Sequence, residues 1–411
     1  MAKRKAPLGV WLYGLRVADI RPSGRAYDLT MRYTDEACAR WPGNSPIVSC
    51  SLPLGRSPLN PCNYFRGLLP EGQHLLYLAS RAGVTTNDLY GLLARYGRDV
   101  AGAVVVSAEP PEPRAEAAIP YGDDSLAEEV AGLEDRPLAL YDDSELSIAG
   151  LQNKLLLIKT DTGWARPSGG RPSTHMLKVE DRRYPGLAAM EHAAMTLARR
   201  LGLTTAETEV TTLGGIDCLI VSRFDRTLDA AGRVQRVHQE DICQALGLDP
   251  QARQGRAKYE SHGGPGLAQV AGLLDRHATS PQRELTRLVQ AVTFTVLIGN
   301  GDAHAKNLSL LHTEPGVVEL APLYDTMPTV LWPRLPDRAA MHVNHVAVLS
   351  RVTLGDVVAE AKRWPLDPAV AQATARDLVA RALEELDAIP TQLADAVRQR
   401  AAVLLGKNVE T

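Results

Sequence analysis

The sequence has few cysteines, and no two of them stand at a spacing that is typical of a motif. The chain has five cysteines, at Cys38, Cys50, Cys62, Cys218 and Cys243. Their number is odd, and no two of them form a Cys-x-x-Cys pair. This distribution argues against a disulfide framework and against a zinc site, and it favours a reducing compartment.

Long apolar runs are also absent. No stretch approaches the ~18 apolar residues that a membrane-spanning helix needs, and the apolar stretch before Gly299 is interrupted by Thr293 and Thr295. The basic start MAKRKAPLGVW is not followed by the apolar core of a signal peptide. We therefore expect a soluble, cytoplasmic protein that has no membrane partner.

A strong charge of one sign is missing as well. The formal net charge is −3 in 411 residues, so no global field draws the chain to nucleic acid or to anionic lipid. Contact with DNA would require a local basic patch or a partner. The length exceeds the roughly 250–300 residues at which a single core stops growing, which predicts two or more packed units.

The predicted elements change from strands to helices along the chain. Alternating patterns predict short strands at residues 10–15, 27–33, 153–160 and 175–180, and a hairpin over residues 208–226 around Gly214 and Gly215. Helical spacing predicts helices at residues 85–96 and 186–201, and a mostly helical chain from Gln239 onward. The Pro-rich segment 108–124 is the best linker candidate. This order predicts an α+β protein with two lobes.

The strongest chemical signal is the segment IGNGDAHAKNLSL at residues 298–310. Asp302 and Asn307 are five residues apart, after an apolar helix and a Gly-rich turn. In kinase catalytic loops this spacing places a carboxylate that accepts the substrate's hydroxyl proton beside an amide that holds Mg²⁺. Asp325, which follows a strand-like run, supplies the second carboxylate that such a metal site needs. Because Asp and Asn are common in loops, the spacing alone is weak.

A lysine inside an apolar strand is the second signal. Lys178 lies in HMLKVE, where burial requires a charged partner, and in kinases the strand lysine contacts the ATP phosphates and a Glu on the next helix. Glu191 suits that second role. The alternative is an edge-strand lysine that points to solvent.

Two further groups of residues belong to the candidate site. The turn SIAGLQNK at residues 147–154 brings small residues to a strand, so its backbone can approach phosphates and Lys154 can add charge, although no Walker A pattern is present. His304 and Lys306 lie within the catalytic loop, where they can contact the transferred phosphoryl group. His342 and His345 lie in a segment that is typical of a strand, and we interpret them as structural.

Taken together, these segments resemble the HipA family of bacterial serine/threonine kinases, the toxins of HipBA toxin–antitoxin modules. The similar segments run through most of the chain in the family's order: FRGLLPEG (65–72), YGRDVAGAVVV (96–106), SIAGLQNK, THMLKVE, MEHAAMTLARRLGL (190–203), VSRFDR (221–226), HQEDICQALGL (238–248), KYESHGGPG (258–266), GDAHAKN and LAPLYD. The resemblance implies a two-lobed, protein-kinase-like fold. Its expected parts are an N-terminal subdomain (1–108), a kinase N-lobe (109–221) and a helical C-lobe (222–411).

The resemblance also implies a role for each candidate residue. Asp302 is expected to be the general base, Asn307 and Asp325 to hold Mg²⁺, and Lys178 to bind the phosphates of ATP. The phosphate-binding turn comprises Ala149, Gly150, Leu151, Gln152, Asn153 and Lys154. The backbone of Ser222, Arg223 and Phe224 is expected to contact adenine, with Tyr324 lining the nucleotide pocket. The resemblance makes Ser147 the expected autophosphorylation site; a phosphate dianion there would compete with the phosphates of ATP and so silence the kinase.

The family resemblance further implies partners and a cellular role. A HipB-like helix-turn-helix antitoxin, operator DNA contacted through that antitoxin complex, and an aminoacyl-tRNA synthetase as phosphorylated substrate are expected, with persistence as the outcome. Two alternatives remain open. A small-molecule phosphotransferase shares the Asp, Asn and Asp arrangement, although no acid-rich insertion lies near Asp302. A non-catalytic, antitoxin-binding corepressor is the other.

Overall fold

A computed structural model describes residues 6–23, 28–111, 118–122, 124–134, 153–168, 170–230, 232–314 and 316–406. The chain forms two compact units. The first unit comprises residues 1–179, 211–255 and 311–316, and the second comprises residues 180–210, 256–310 and 317–411. Among the described residues, no helix combines the length and the apolarity that crossing a bilayer requires.

The first unit contains two large antiparallel sheets and a two-stranded sheet within residues 226–236. One has the strand order β3-β2-β1-β4, and the other has the order β5-β7-β6-β8-β10-β9, where the residues of β9 from Thr211 onward belong to this unit. The strands are β1 (Leu8–Leu12), β2 (Leu15–Pro22), β3 (Leu29–Tyr33), β4 (Val104–Ser107), β5 (Ala118–Pro120), β6 (Lys154–Thr160), β7 (Gly163–Pro167), β8 (His175–Val179), β9 (Thr208–Leu213), β10 (Ile216–Ser222), β11 (Arg226–Leu228), β12 (Val234–Arg236) and β13 (His238–Asp241).

Helices cover both sheets of the first unit and complete two hydrophobic cores. They are α1 (Asp35–Arg40), α2 (Cys62–Gly67), α3 (Gly72–Ala82), α4 (Leu89–Tyr96), α5 (Ser125–Ala131), α7 (Ile242–Ala245) and α8 (Ala252–Gly255). The first core joins the four-stranded sheet to Tyr64 and Phe65 of α2 and to Leu78 of α3. The second core places Leu126 and Val130 of α5 against the six-stranded sheet.

The second unit is mainly helical. Its central helix α10 (Pro281–Ile298) packs against α9 (Leu267–His277), α11 (Leu354–Ala361), α12 (Pro368–Glu384) and α13 (Thr391–Leu404). It also contains α6 (Leu187–Arg200), β15 (Val317–Leu320), β16 (Arg338–Val343) and β17 (Val346–Val348). Strand β14 (Ser309–Glu314) has residues in both units. Pro281 is the first residue of α10, where its fixed φ suits a helix start.

Most predicted elements are present, and the exceptions have local causes. The predicted strand at 10–15 is wrong: Tyr13 (φ 51°) and Gly14 (φ 81°) form a two-residue turn, and Leu12 pairs with Leu15 across it. Alternation continued through the turn, and a left-handed Tyr is uncommon. The segment between the predicted strands 153–160 and 175–180 contains a further strand, β7. The helix predicted from residue 85 begins at Leu89, because the side chain of Asp88 accepts the N–H of Gly91.

A buried ion network joins distant segments of the first unit. Asp99 lies 3.0 Å from Arg226 and 3.0 Å from Arg236, and Asp225 lies 2.8 Å from Arg223. Burial by itself would raise the pKa of Asp99, but the guanidinium groups of Arg236, Arg223 and Arg226 outweigh it and the pKa is lowered. The network therefore keeps its carboxylates charged and fixes the end of β10 against residues 99–102.

We expect Asp99→Asn to lower the free energy of unfolding by about 3–5 kcal/mol, because it leaves buried guanidinium groups without their counter-charge. Urea unfolding measures the effect. Asp35→Asn is the matched control, since it removes the partner of Arg56 in a pair whose side chains are 94% and 78% exposed, and such pairs contribute little. Equal losses in the two variants would contradict the role given to the buried network.

Candidate functional site

The loop that carries Asp302 begins at the end of α10, where two glycines are required. Gly299 ends the helix with φ 71°, and a Cβ there would lie 2.6 Å from the side chains of Val330 and Arg400. A Cβ on Gly301 would lie 2.9 Å from the carbonyl oxygens of Pro336 and Arg338. The chain can therefore make this sharp turn only with glycine at these positions, and the turn delivers Asp302 directly after the helix.

Asp302 and Asn307 are held together within one short loop. The side-chain amide of Asn307 donates to the backbone oxygen of Asp302 at 2.9 Å. The N–H of His304 donates to the same oxygen at 2.7 Å, and the N–H of Asn307 donates to the carbonyl of His304 at 2.8 Å. These bonds fix the spacing between the two side chains that the sequence predicted as general base and metal ligand.

Tyr259 is a member of this site to which the sequence gave no role. Its hydroxyl donates to Oδ1 of Asp302 at 2.7 Å, and its ring packs edge-on against the ring of His304, with centroids 5.1 Å apart. Tyr259 belongs to the segment KYESHGGPG, which served only for family resemblance. Because it is 43 residues from Asp302 in sequence, no spacing signal connects the two.

His304 is buried among charged groups and stays neutral. Its pKa is lowered from 6.5 to about 3, chiefly by burial and next by the charge of Lys258; Lys306 adds a smaller lowering, and the carboxylate of Asp325 opposes these effects. Its Nδ1 atom is buried and has no hydrogen-bond partner among the described residues. The ring therefore offers an uncharged nitrogen inside the catalytic loop.

Asp325 has a backbone conformation that few residues adopt. Its φ is 52°, in the left-handed region, where Asp is tolerated better than most residues at a cost of roughly 1–2 kcal/mol. The preceding Leu323 exchanges backbone hydrogen bonds of 2.8 Å with Thr204 and Ala206. The hydroxyl of Tyr324 donates to the carbonyl of Lys306 at 2.6 Å. The neighbouring bonds thus hold Asp325 in this conformation beside the catalytic loop.

Two lysines of the first unit lie side by side on one face of its six-stranded sheet. Lys178 on β8 pairs directly with Lys154 on β6, and both are buried, at 7% and 6% exposure. Because β8 lies between β6 and β10, the alternative of a solvated edge-strand lysine is wrong. Directly opposite like charges repel each other. Glu191, the expected partner of Lys178, lies in the second unit on α6 and is also buried, at 1% exposure.

The remaining predicted residues fall into two groups. Ser147, Ala149, Gly150, Leu151 and Gln152 lie outside the described residues, whereas Asn153 does not: its Oδ1 forms a 3.1 Å hydrogen bond with Nε2 of His74 on α3. Of the predicted hinge, Ser222 ends β10, and Arg223 directs its side chain into the buried ion network. The N–H of Arg223 donates to the carbonyl of Thr174, so that donor is occupied within the sheet.

Two family models match this chain. The HipA N-terminal domain matches residues 8–107, and the HipA-like C-terminal domain matches residues 146–388. A Sinorhizobium fredii protein named "Putative kinase Y4mE" is 37% identical over 327 residues, which are 77% of this chain and 75% of that protein. The serine/threonine-protein kinase toxin HipA of Shewanella oneidensis is 28% identical over 350 residues, 82% of this chain and 78% of that protein.

The comparison with solved structures agrees. The structure of Shewanella oneidensis HipA in complex with HipB and operator DNA superposes with a TM-score of 0.82 at 25% identity, covering 97% of this chain and 98% of that chain. The predicted HipA-like, kinase-like fold is therefore confirmed, and kinase activity is the general chemistry of the relatives. This chain belongs to the HipA family.

Proposed function

We propose that this protein is a serine/threonine protein kinase that uses Mg²⁺ and ATP and acts as the toxin of a HipBA-type module. The observation that carries the proposal is the geometry of the catalytic loop. The side-chain amide of Asn307 donates to the backbone oxygen of Asp302. The carboxylate of Asp325 acts electrostatically on the buried ring of His304, which lies between those two residues in sequence. A phosphoryl-transfer site of the kinase type requires one carboxylate as general base, and a second carboxylate and an amide as metal ligands.

Each residue has a defined task in this proposal. Asp302, held by the hydroxyl of Tyr259, accepts the proton of the attacking serine or threonine hydroxyl. The amide oxygen of Asn307 and the carboxylate of Asp325 suit Mg²⁺, which prefers oxygen ligands. Bound Mg²⁺ would neutralise charge on the phosphates. Lys178 and Lys154 provide two buried positive charges for those phosphates.

The nucleotide and regulatory assignments rest on the resemblance to the HipA family. The backbone of Ser222, Arg223 and Phe224 is the proposed contact to adenine; within it, the N–H of Arg223 already donates to Thr174 and its carbonyl already accepts from Arg226. Tyr324, His304 and Lys306 lie along the catalytic loop and line the proposed pocket. Ser147 is proposed as the autophosphorylation site, since phosphate there would compete with ATP for Lys154 and Lys178.

The proposed partners follow from the relatives. The solved Shewanella oneidensis structure contains HipA, HipB and operator DNA, and we infer a HipB-like helix-turn-helix antitoxin for this chain, with operator DNA contacted through that complex. A net charge of −3 agrees with indirect DNA contact. An aminoacyl-tRNA synthetase is the proposed substrate, which would stall translation and lead to persistence. The three-part division at residues 108 and 221 also remains a proposal.

Intact-mass measurement after incubation with Mg²⁺ and ATP tests the activity. We expect one added phosphate, mapped to Ser147, in the native protein, and a rate at least about 10²-fold lower in Asp302→Ala, since a positioned general base contributes that much. Ser147→Ala should fold normally and gain no phosphate. If the native protein gains no mass although nucleotide still binds to it, the chain is a partner-binding corepressor or a small-molecule kinase. Phosphate on Ser147→Ala at the original rate would disprove the role of Ser147.

Tyr259→Phe tests the positioning of Asp302. The change removes one hydroxyl and keeps the ring against His304, so we expect kcat to fall about 10-fold, as for the loss of a hydrogen bond to a charged group, while KM for ATP is unchanged. Tyr90→Phe is the matched control, because it removes a hydroxyl that donates to the carbonyl of Ala6 in the first unit. An unchanged kcat in Tyr259→Phe would show that Asp302 is positioned by other contacts.

The pH dependence of the rate tests the protonation state of His304. Because its pKa is about 3 in the folded protein, the ring is neutral throughout pH 5–8 and its titration should not appear in the pH–rate profile. Measuring kcat over this range in the native protein and in His304→Gln separates the ring from other groups. A decrease in rate with a midpoint near pH 6 that His304→Gln abolishes would contradict the neutral ring.

A further inference from the structure

A second cluster of buried polar side chains surrounds Glu240 on β13, outside the catalytic loop. Oε2 of Glu240 accepts a hydrogen bond from the hydroxyl of Ser49 at 2.5 Å. Oε1 accepts the backbone N–H of Cys50 at 2.9 Å and lies 3.0 Å from Nε2 of His312 on β14. The cluster therefore connects three segments that are far apart in sequence, all within the first unit.

The carboxylate of this cluster is deeply buried. Glu240 is 1% exposed, and among the described residues it forms no ion pair with a lysine or an arginine. The basic group beside it is the imidazole of His312. Buried anions are usually paired with a cation or bound to a metal.

Three metal-binding side chains converge at this point. The thiol of Cys50, a carboxylate oxygen of Glu240 and a ring nitrogen of His312 all lie within 4.8 Å of one another. Thiolate, imidazole and carboxylate form a donor set that suits Zn²⁺ and Co²⁺, whereas Mg²⁺ and Ca²⁺ require oxygen ligands. Around tetrahedral zinc, bond lengths of about 2.0–2.3 Å place donor atoms roughly 3.3–3.8 Å apart, so no pair needs to close by more than roughly 1.5 Å.

We propose that Cys50, Glu240 and His312 form a binding site for a zinc-type divalent cation, with the fourth position open to water. Binding replaces the hydrogen bond between His312 and Glu240 by two coordination bonds. The thiol of Cys50 releases its proton to solvent, and the proton of Nε2 moves to Nδ1 of His312, which has no hydrogen-bond partner among the described residues. The exchange thus breaks one hydrogen bond and places a cation beside the buried carboxylate. Cys50 is only partly buried, which gives the ion a route in.

Cobalt binding to the full-length, chelator-treated protein tests the site. We expect one equivalent of Co²⁺ to bind with a thiolate-to-cobalt absorption band, to be displaced by Zn²⁺, and to be unaffected by excess Mg²⁺. Cys50→Ser should abolish the band and weaken binding at least about 10-fold, since even changes around metal ligands cost that much. Cys38→Ser is the matched control, because Cys38 is also partly exposed, and it should retain the band.

Two results would overturn the proposal: absence of equimolar binding by the folded native protein, or a thiolate band that survives in Cys50→Ser. A second measurement avoids dependence on variants. Zn²⁺ should slow alkylation of Cys50 and leave alkylation of Cys38 unchanged, as read from peptide masses, and equal rates at Cys50 with and without Zn²⁺ would refute the site. No nucleotide is present in these experiments, so their outcome is independent of the kinase assay.

Discussion

The burial of charge around Asp99 and Asp225 is the constraint on which the first unit depends. Two carboxylates and three guanidinium groups are removed from water together, and none of them is stable in that environment alone. Since Arg223 belongs both to this network and to the proposed adenine hinge, its side chain is not available to a ligand. In the proposed contact with adenine, Arg223 can therefore contribute only its backbone, which the network holds in place.

Lysines are also buried in the parts of the candidate site, and there a neighbouring histidine stays uncharged. Lys154 and Lys178 are buried opposite each other, and Lys258 and Lys306 act on the buried ring of His304. The ring responds by staying neutral, which is the lower-energy state beside two cations. Lysines are thus close together within each unit taken by itself. In the second unit the carboxylates of Asp302 and Asp325 are the groups that the proposed general base and metal ligand require.

The sequence was sufficient to predict side chains whose relation is set within one short segment. It did not predict relations that only the tertiary structure brings about. Asp302 and Asn307 could be proposed from the sequence because five residues of one loop fix their relation. Tyr259 was missed because only folding brings it 2.7 Å from Asp302, and the burial of Lys178 became clear only when β8 proved to be an inner strand. The turn at Tyr13 was missed for an energetic reason: its hydroxyl bonds to the backbone of His238 and His312, and these distant contacts offset an unfavourable φ.

The cluster of Cys50, Glu240 and His312 shows where an argument from cysteine spacing ends. The absence of a Cys-x-x-Cys pair excludes a zinc motif built from one short segment, but Cys50 is 190 residues from Glu240, and Glu240 is 72 residues from His312. Their approach depends on Ser49 and the N–H of Cys50, which orient the carboxylate before any ion arrives. Cys50 lies in the matched N-terminal domain, and the other two ligands lie in the C-terminal domain. A cation bound there would join the two domains by bonds that neither contains alone.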